Sequence, residues 1–365
     1  MSIDIGIIGL PRSGKTTIFN ALTGGKADTL SAGGNPHVGI ARVPEPRLKV
    51  LDEMLHPKKV VPAEARYIDV GASVRTLVQE KGIGGELLNQ LSNVDALISV
   101  VRDFADERIP HPEGSLDIKR DIATLDMELV FSDLAIMERR LERLGTSLKG
   151  AKATERAGLL HEQETLQKLK AELEKDRPIR GLPLDPGEAK SVANYQFLTA
   201  KPLLILVNIG EEKLPQMASL EAELNSEYSG EKCRAVALCG KLEMELAQLE
   251  ADAAREFRAG FGIQESGLER TIKLSYELSG LISFFTIASG EVRAWSLKKG
   301  TTALKAAGKI HTDMERGFIR AEGIGYEELV RCGSIEEARR QGRLRLEGKD
   351  YIIQDGDIIT FRFNV

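Results

Sequence analysis

The chain has 365 residues, more than one ordinary core holds, so we expect two or three domains. An apolar content of 42% and a charged content of 29% are typical of a globular protein. The 50 basic and 55 acidic residues leave a net charge of -5, which excludes a surface that is basic throughout but allows a local patch for nucleic acid.

Strand and helix patterns alternate along much of the chain. The isoleucine-rich run Ile3–Ile8 predicts a buried strand, and Thr16–Thr23 predicts a helix after it. Further strands are expected at 64–70, 96–103, 202–208 and 233–238. This alternation predicts an α/β fold with a doubly wound, mostly parallel sheet and helices on both faces.

The segment between the first strand and the first helix, GLPRSGKT, matches the phosphate-loop pattern GxxxxGK[ST]. Glycines let backbone N–H groups converge on phosphate oxygens, and the following helix presents its positive end to the same anion. Lys15 is expected to reach the β and γ phosphates as the catalytic residue, and Thr16 to place its hydroxyl on Mg²⁺. The predicted nucleotide-binding residues of this P-loop NTPase segment are Leu10, Pro11, Arg12, Ser13, Gly14, Lys15, Thr16 and Thr17.

A second metal residue is expected at the end of the strand RYID. Asp69 stands where a carboxylate holds Mg²⁺ through its water shell; capping of the next turn is the alternative.

The base-recognition segment follows the strand PLLILVN. Asn208 and Glu211 occupy the place where guanine-specific proteins carry Asn-Lys-x-Asp. Glutamate is longer than aspartate and does not match the guanine edge in the same geometry, whereas an asparagine amide can serve either purine. We therefore favour ATP over GTP. Additional candidates for contacts with the base or sugar are Cys239, Gly240 and Lys241.

Two regions differ from the alternating pattern. Between about 120 and 177, leucines and methionine recur at three-to-four spacing on both sides of a Gly/Lys/Ala stretch, Gly145–Gly158. This predicts an inserted antiparallel helical hairpin, with two ordinary surface helices as the alternative.

From about Ser283, short β-rich runs predict a small mixed α/β domain, and Asp355-Gly356 predicts a tight hairpin. The expected domains are 1–119 with 195–282 for nucleotide binding, 120–194 for the hairpin, and 283–365.

Basic residues in the tail form either an RNA-facing patch or a solvated, charge-mixed surface, because glutamates lie among them. They are Lys298, Lys299, Lys305, Lys309, Arg316, Arg320, Arg343, Arg345 and Lys349.

Together these residues resemble the YchF / Obg-like ATPase family, a branch of the translation-factor class of P-loop GTPases. The resemblance covers essentially the whole chain and rests on GLPRSGKTTIFNAL, on NIGE at 208–211, and on the tail, VRAWSLKKGTTALKAAGKIHTDMERGFIRAE with GRLRLEGKDYIIQDGDIITFRFNV. The tail is similar to the ubiquitin-like TGS domain. The resemblance implies ATP preference, slow hydrolysis, and association with ribosomes or ribosomal RNA, with the hairpin and TGS domain as the contacting parts.

The sequence departs from the family pattern at several positions. Arg12 stands where asparagine is usual, and Gly33 where a switch threonine is expected. Asp69-Val70-Gly71-Ala72 replaces Asp-x-Ala-Gly, and Ser73 takes the place of a water-orienting glutamine. These departures affect γ-phosphate sensing more than binding. We predict a low intrinsic ATPase rate; the alternatives are a non-enzymatic nucleotide-binding module or a GTP-specific switch.

The cysteine content and the apolar pattern of the sequence also predict the cellular compartment. The three cysteines lack metal-ligand spacing and favour a reducing cytosol. The first residues lack the basic head of a signal peptide, and no stretch of sequence is apolar for long enough to cross a bilayer. We predict a cytoplasmic monomer without a membrane partner.

Overall fold

The computed structural model describes residues 3–25, 37–70, 83–263 and 265–364. Within these ranges the strands are β1 (Ile3–Gly9), β2 (His37–Arg42), β3 (Lys59–Val61), β4 (Glu64–Asp69), β5 (Ala96–Asp103), β6 (Leu203–Ile209), β7 (Cys233–Leu238), β8 (Leu281–Ala288), β9 (Glu291–Lys298), β10 (Phe318–Gly325), β11 (Arg345–Glu347) and β12 (Asp357–Phe363).

The α-helices in the same ranges are α1 (Lys15–Thr23), α2 (Pro46–Leu55), α3 (Ile83–Asn93), α4 (Ile118–Gly150), α5 (Ala153–Leu173), α6 (Pro186–Val192), α7 (Met217–Tyr228), α8 (Gly240–Leu246), α9 (Ala251–Gly260), α10 (Gly267–Leu278), α11 (Ala303–Ile310), α12 (Thr312–Arg316), α13 (Tyr326–Cys332) and α14 (Ile335–Arg340). Among these helices we find none with both the length and the apolar character needed to cross a bilayer.

The first sheet has six strands in the order β2-β4-β1-β5-β6-β7. β1, β5, β6 and β7 are parallel, and β5 and β6 are buried along their whole length. Such continuous apolar strands form a sheet covered on both faces, as the alternating pattern predicts. In the β1–β5 and β5–β6 registers, Gly9 faces Val100 and Asp103 faces Ile209. The carboxyl ends of these strands therefore share one edge, where ligands bind in open α/β sheets.

The inserted helices α4 and α5 are joined by residues 151 and 152 alone. This break lies within the stretch Gly145–Gly158, where the sequence predicts an interruption, but it is shorter than that stretch because α4 continues through both Gly145 and Gly150. Neither glycine packs against other elements, since a Cβ added at either position would meet nothing within 4 Å. The apolar contacts of Leu144, which is fully buried, support the helix at this point.

The hairpin has an apolar core of its own. Its fully buried members include Met137 and Leu144 of α4 and Leu166 and Leu169 of α5. Across the pair, Glu138 Oε1 lies 3.0 Å from Lys170 Nζ, and Arg140 Nε lies 2.7 Å from Glu162 Oε1. The earlier residue of α4 thus contacts the later residue of α5, so the helices are antiparallel.

The second sheet has the order β11-β10-β12-β8-β9-β3. β10 is antiparallel to β11 and β12, β12 is parallel to β8, and β8 is antiparallel to β9. The small buried side chains of α11, Ala303, Ala306 and Ala307, lie in one cluster with Phe284 and Ile359 of this sheet. This is a mixed α/β unit, as predicted for the tail.

The turn at Asp355-Gly356 does not close a hairpin, so that prediction is wrong. The run before the turn makes a single isolated bridge, Thr302↔Ile352, while β12 pairs with β10 and β8. Asp355 Oδ1 accepts a hydrogen bond from Ser283 N at 2.9 Å, and Gly356 N donates to Ser283 O at 2.8 Å. The turn is therefore held by β8, far away in sequence.

The chain divides into two compact units, one of residues 1–3, 40–66 and 279–365 and the other of 4–39 and 67–278. The assignment of 40–66 to the nucleotide-binding domain is thus corrected. β3 pairs in parallel with β9, and Arg47 Nη1 donates to Asp355 Oδ2 at 2.8 Å with its guanidinium over the Phe285 ring. These tertiary contacts join 40–66 to the tail. The hairpin lies within the other unit, and the remaining domain boundaries stay predictions.

Candidate nucleotide-binding site

The predicted phosphate loop connects β1 to α1. Gly14, the last loop residue, has φ 90, and a Cβ there would overlap the amide nitrogen of Asn208. Both the positive φ and the lack of space for a Cβ require glycine at position 14. Leu10 and Ser13 are buried, whereas Pro11 and Arg12 are exposed; Thr17, half-buried, follows in the first turn of α1. The loop thus ends at the N-terminus of a helix, where backbone N–H groups can bind an anion.

Lys15 is folded back onto this loop. Its side chain is buried, and Nζ donates to Gly9 O at 2.9 Å and Leu10 O at 3.0 Å. Burial lowers the pKa of Lys15 to about 8, although the negative charges of Asp69 and Glu128 oppose the shift. A phosphate would offer this ammonium a charged acceptor in place of two neutral carbonyls.

Asp69 lies beside the first turn of α1. Its Oδ2 accepts a hydrogen bond from Thr16 Oγ1 at 2.7 Å and lies 3.6 Å from His37 Nδ1. Its Oδ1 is buried without a hydrogen-bond partner among the described residues. A carboxylate oxygen left without a partner beside a hydroxyl fits Mg²⁺, which prefers oxygen ligands. Sequence reasoning brought Asp69 and Thr16 together but missed His37, which carries no motif.

Asn208 joins the phosphate loop to the segment after β7. Its Nδ2 donates to Ser13 O at 3.1 Å, and its Oδ1 accepts from Gly240 N at 3.0 Å. The side chain is 4% exposed. Both ends of the amide therefore contact backbone, and the asparagine supports the loop in addition to any contact it makes with a purine.

The other predicted base-side residues lie near Asn208. Lys241 Nζ contacts Glu211 Oε1 at 3.0 Å, and this ion pair is exposed. Cys239 is buried at the start of α8, and burial raises the pKa of its thiol. A buried thiol that stays neutral contributes to packing and does not act as a reactive group.

Arg12 adopts a left-handed conformation with φ 63, and its Nη1 donates to Pro110 O at 3.2 Å. The loop that it touches is itself anchored, since His111 Nε2 lies 2.9 Å from Asp121 Oδ2 with both side chains nearly buried. The guanidinium of Arg12 is thus directed to the segment after β5.

Sequence reasoning also missed Arg102 and Phe104. The guanidinium of Arg102 lies 4.4 Å from the Phe104 ring centroid, and a ring carbon of Phe104 lies 3.8 Å from the Cβ position of Gly14. The available signal was their place at the carboxyl end of β5, the strand paired with β1. The switch positions Gly33, Gly71, Ala72 and Ser73 fall outside the described residues.

Comparisons with known proteins agree with this architecture. A family model described as "YchF-GTPase_C: Protein of unknown function (DUF933)" matches residues 281–364. The "Ribosome-binding ATPase YchF" of Bacillus subtilis (strain 168) is 40% identical, and that of Haemophilus influenzae (strain ATCC 51907 / DSM 11121 / KW20 / Rd) 37%, each over 100% of both chains. The "Structure of the Schizosaccharomyces pombe YchF GTPase" superposes with a TM-score of 0.84 at 30% identity, covering 99% of this chain and 98% of that one. The predicted fold class is confirmed, and the chain belongs to the YchF family.

Proposed function

We propose that this protein binds ATP with Mg²⁺ at the loop Gly9–Thr16, hydrolyses it slowly, and associates with ribosomes. The observation that carries the proposal is the convergence of Lys15, Thr16 and Asp69 at the carboxyl end of the parallel sheet. The curated relatives named ribosome-binding ATPases support both the activity and the association.

The chemistry follows from charge. Phosphoryl transfer requires positioning and charge neutralisation more than covalent chemistry. When ATP binds, the ammonium of Lys15 would exchange its hydrogen bonds to the carbonyls of Gly9 and Leu10 for contacts with the β and γ phosphates. Thr16 and Asp69 would hold Mg²⁺, which supplies further positive charge to the phosphates when bound.

The preference for ATP over GTP rests on Glu211. Guanine recognition needs a carboxylate that accepts hydrogen bonds from two ring donors, and the Glu211 carboxylate is already paired with Lys241 at 3.0 Å. Competition of ATP and GTP for a fluorescent ATP analogue tests this preference. Equal competition by the two nucleotides would contradict the proposed preference for ATP.

Hydrolysis is separated from mere binding by phosphate release from purified protein, with and without ribosomes. We expect slow release that ribosomes accelerate, and none from Lys15→Ala, which controls for a contaminating ATPase. Tight ATP binding with release equal to that of Lys15→Ala would favour the non-enzymatic module instead.

For the ribosome, we propose the hairpin and the tail as the contacting parts. Several tail cations are already paired, among them Lys305 with Glu315 and Arg345 with Asp357. This pairing reduces the candidate patch, so Lys299 and Lys349, both exposed, are the better probes. Charge reversal at both should weaken ribosome co-sedimentation, and unchanged co-sedimentation would exclude the tail. The monomeric state and the cytoplasmic location stay predictions.

A further inference from the structure

His37 adds a nitrogen atom to a group of oxygen atoms at the end of the first sheet. It begins β2, and its Nδ1 lies 3.6 Å from Asp69 Oδ2. The same oxygen accepts the hydrogen bond of Thr16 Oγ1 at 2.7 Å. A hydroxyl and an imidazole nitrogen are therefore neighbours of one carboxylate oxygen, and all three residues belong to the same compact unit.

The distance between Nδ1 and Oδ2 fits two ligands of one metal ion better than a hydrogen bond. At 3.6 Å it exceeds the range of about 2.7–3.2 Å that N–H···O hydrogen bonds occupy. Two atoms that bind one ion at about 2.1 Å are about 3.0–3.4 Å apart when their bonds make an octahedral or tetrahedral angle. A small further approach would therefore let both atoms bind the same ion.

The imidazole ring is both positioned and accessible. Its centroid lies 6.1 Å from that of the Phe19 ring, so α1, which carries Thr16, also contacts His37. The His37 side chain is 39% exposed, whereas the Asp69 side chain is fully buried. The imidazole thus borders the solvent, from which a metal ion and its phosphate ligand arrive, and the carboxylate lies behind it.

The donor atoms decide which metal ion the site prefers. Thr16 and Asp69 supply oxygen, and Asp69 Oδ1, buried without a hydrogen-bond partner among the described residues, supplies one more. Oxygen alone suits Mg²⁺, which also gives up its water reluctantly. An imidazole nitrogen is a softer ligand and shifts the affinity towards divalent ions of the first transition row.

We propose that His37 is a third protein ligand of the metal ion at the phosphate loop and makes the site prefer a transition-metal ion such as Mn²⁺ over Mg²⁺. Thr16 and Asp69 are the other two protein ligands, and phosphate oxygens of the nucleotide fill further positions. The inference rests on the proposed metal-dependent nucleotide site and adds the identity of its metal ion.

Spectroscopy of bound Mn²⁺ tests the nitrogen ligand directly. The experiment adds Mn²⁺ and tripolyphosphate to the full-length protein and records the electron spin echo envelope modulation. Tripolyphosphate contains no nitrogen, so a nitrogen bound to the ion comes from the protein. We expect nitrogen modulation that changes its frequency when the protein is made with ¹⁵N-labelled histidine, and that disappears in His37→Asn.

Calorimetry of tripolyphosphate binding in Mn²⁺ and in Mg²⁺ tests the preference. His37→Asn replaces the nitrogen ligand with an amide oxygen, and His161→Asn makes the same change at an exposed position of α5. In His37→Asn the preference for Mn²⁺ over Mg²⁺ should fall about tenfold, with affinity in Mg²⁺ changed less than about twofold. His161→Asn should change neither quantity, which controls for the loss of a histidine elsewhere.

Failure of this inference and failure of the proposed function are distinguishable. If the unaltered protein shows no metal-dependent binding of tripolyphosphate, the proposed nucleotide site is wrong, and the role of His37 with it. Metal-dependent binding without histidine modulation would overturn the role of His37 alone. An unchanged metal preference in His37→Asn, or an equal change in His161→Asn, would overturn it as well.

Discussion

Asn208 offers a direct test of how the loop is held. In Asn208→Ala, Ser13 O and Gly240 N lose their side-chain partners, at 3.1 and 3.0 Å in the intact protein. Each buried backbone group left without a partner costs about 1–3 kcal/mol, so the loss of both should lower the free energy of unfolding by about 2–6 kcal/mol. The loop also loses its support, and we expect ATP affinity to fall at least about tenfold, or about 1.4 kcal/mol.

The chain contains a matched control in Asn225. Its Nδ2 donates to Ala235 O at 2.8 Å and its Oδ1 accepts from Ala235 N at 3.0 Å, the same pair of amide-to-backbone bonds on β7. Asn225→Ala should therefore also lower stability, by less than Asn208→Ala because its bonds are only partly buried, and leave ATP affinity unchanged. Urea denaturation measures the first quantity, and titration calorimetry measures the second.

Tripolyphosphate distinguishes support of the loop from recognition of the base. If Asn208 acts by holding the loop, Asn208→Ala weakens tripolyphosphate as much as ATP; if it acts on the purine, only ATP is weakened. Undiminished affinity for both ligands, or an equal loss in Asn225→Ala, would refute the reasoning.

Three further predictions concern the site and the tail. The pKa of Lys15 is about 8 in the free protein, and a bound phosphate should raise it. ATP affinity, measured by calorimetry, should therefore be constant below about pH 8 and fall by up to about tenfold per pH unit above it. Asp69→Asn removes the metal-binding charge, so the gain in ATP affinity on adding Mg²⁺ should shrink at least about tenfold, with binding in EDTA unchanged. Arg47→Ala breaks contacts with Glu45 and Asp355 and should destabilise its unit by about 2–3 kcal/mol in denaturation followed by Trp295 fluorescence.

Each has a control. Lys15→Arg, whose charge does not titrate in this range, should flatten the alkaline fall; a fall that persists would mean that another group causes it. A Mg²⁺ effect on Asp69→Asn equal to that on the unaltered protein would exclude the carboxylate as a metal ligand. Lys49→Ala, at a side chain 83% exposed, should change stability by less than about 0.5 kcal/mol, and a loss as large as that of Arg47→Ala would contradict the specific role of Arg47.

The local sequence was sufficient to predict those parts of the fold whose structure depends on residues close together in the chain. The strand β1, the loop with Gly14, and the helix α1 follow from an apolar run, a glycine pattern and a helical period within 23 residues of the N-terminus. The approach of Asp69 to Thr16 could be expected as well, because the ends of strands in an α/β sheet meet at one edge. That contact is present at 2.7 Å.

Long-range pairing decided the rest, since it depends on partners that no local window contains. Residues 40–66 join the tail because β3 pairs with β9, and Asp355-Gly356 is held by β8 and closes no hairpin. Both amide ends of Asn208 are taken by backbone groups from two distant segments. A pattern of residue types fixes which groups can bond, whereas the free energy of packing the whole chain selects which of them meet.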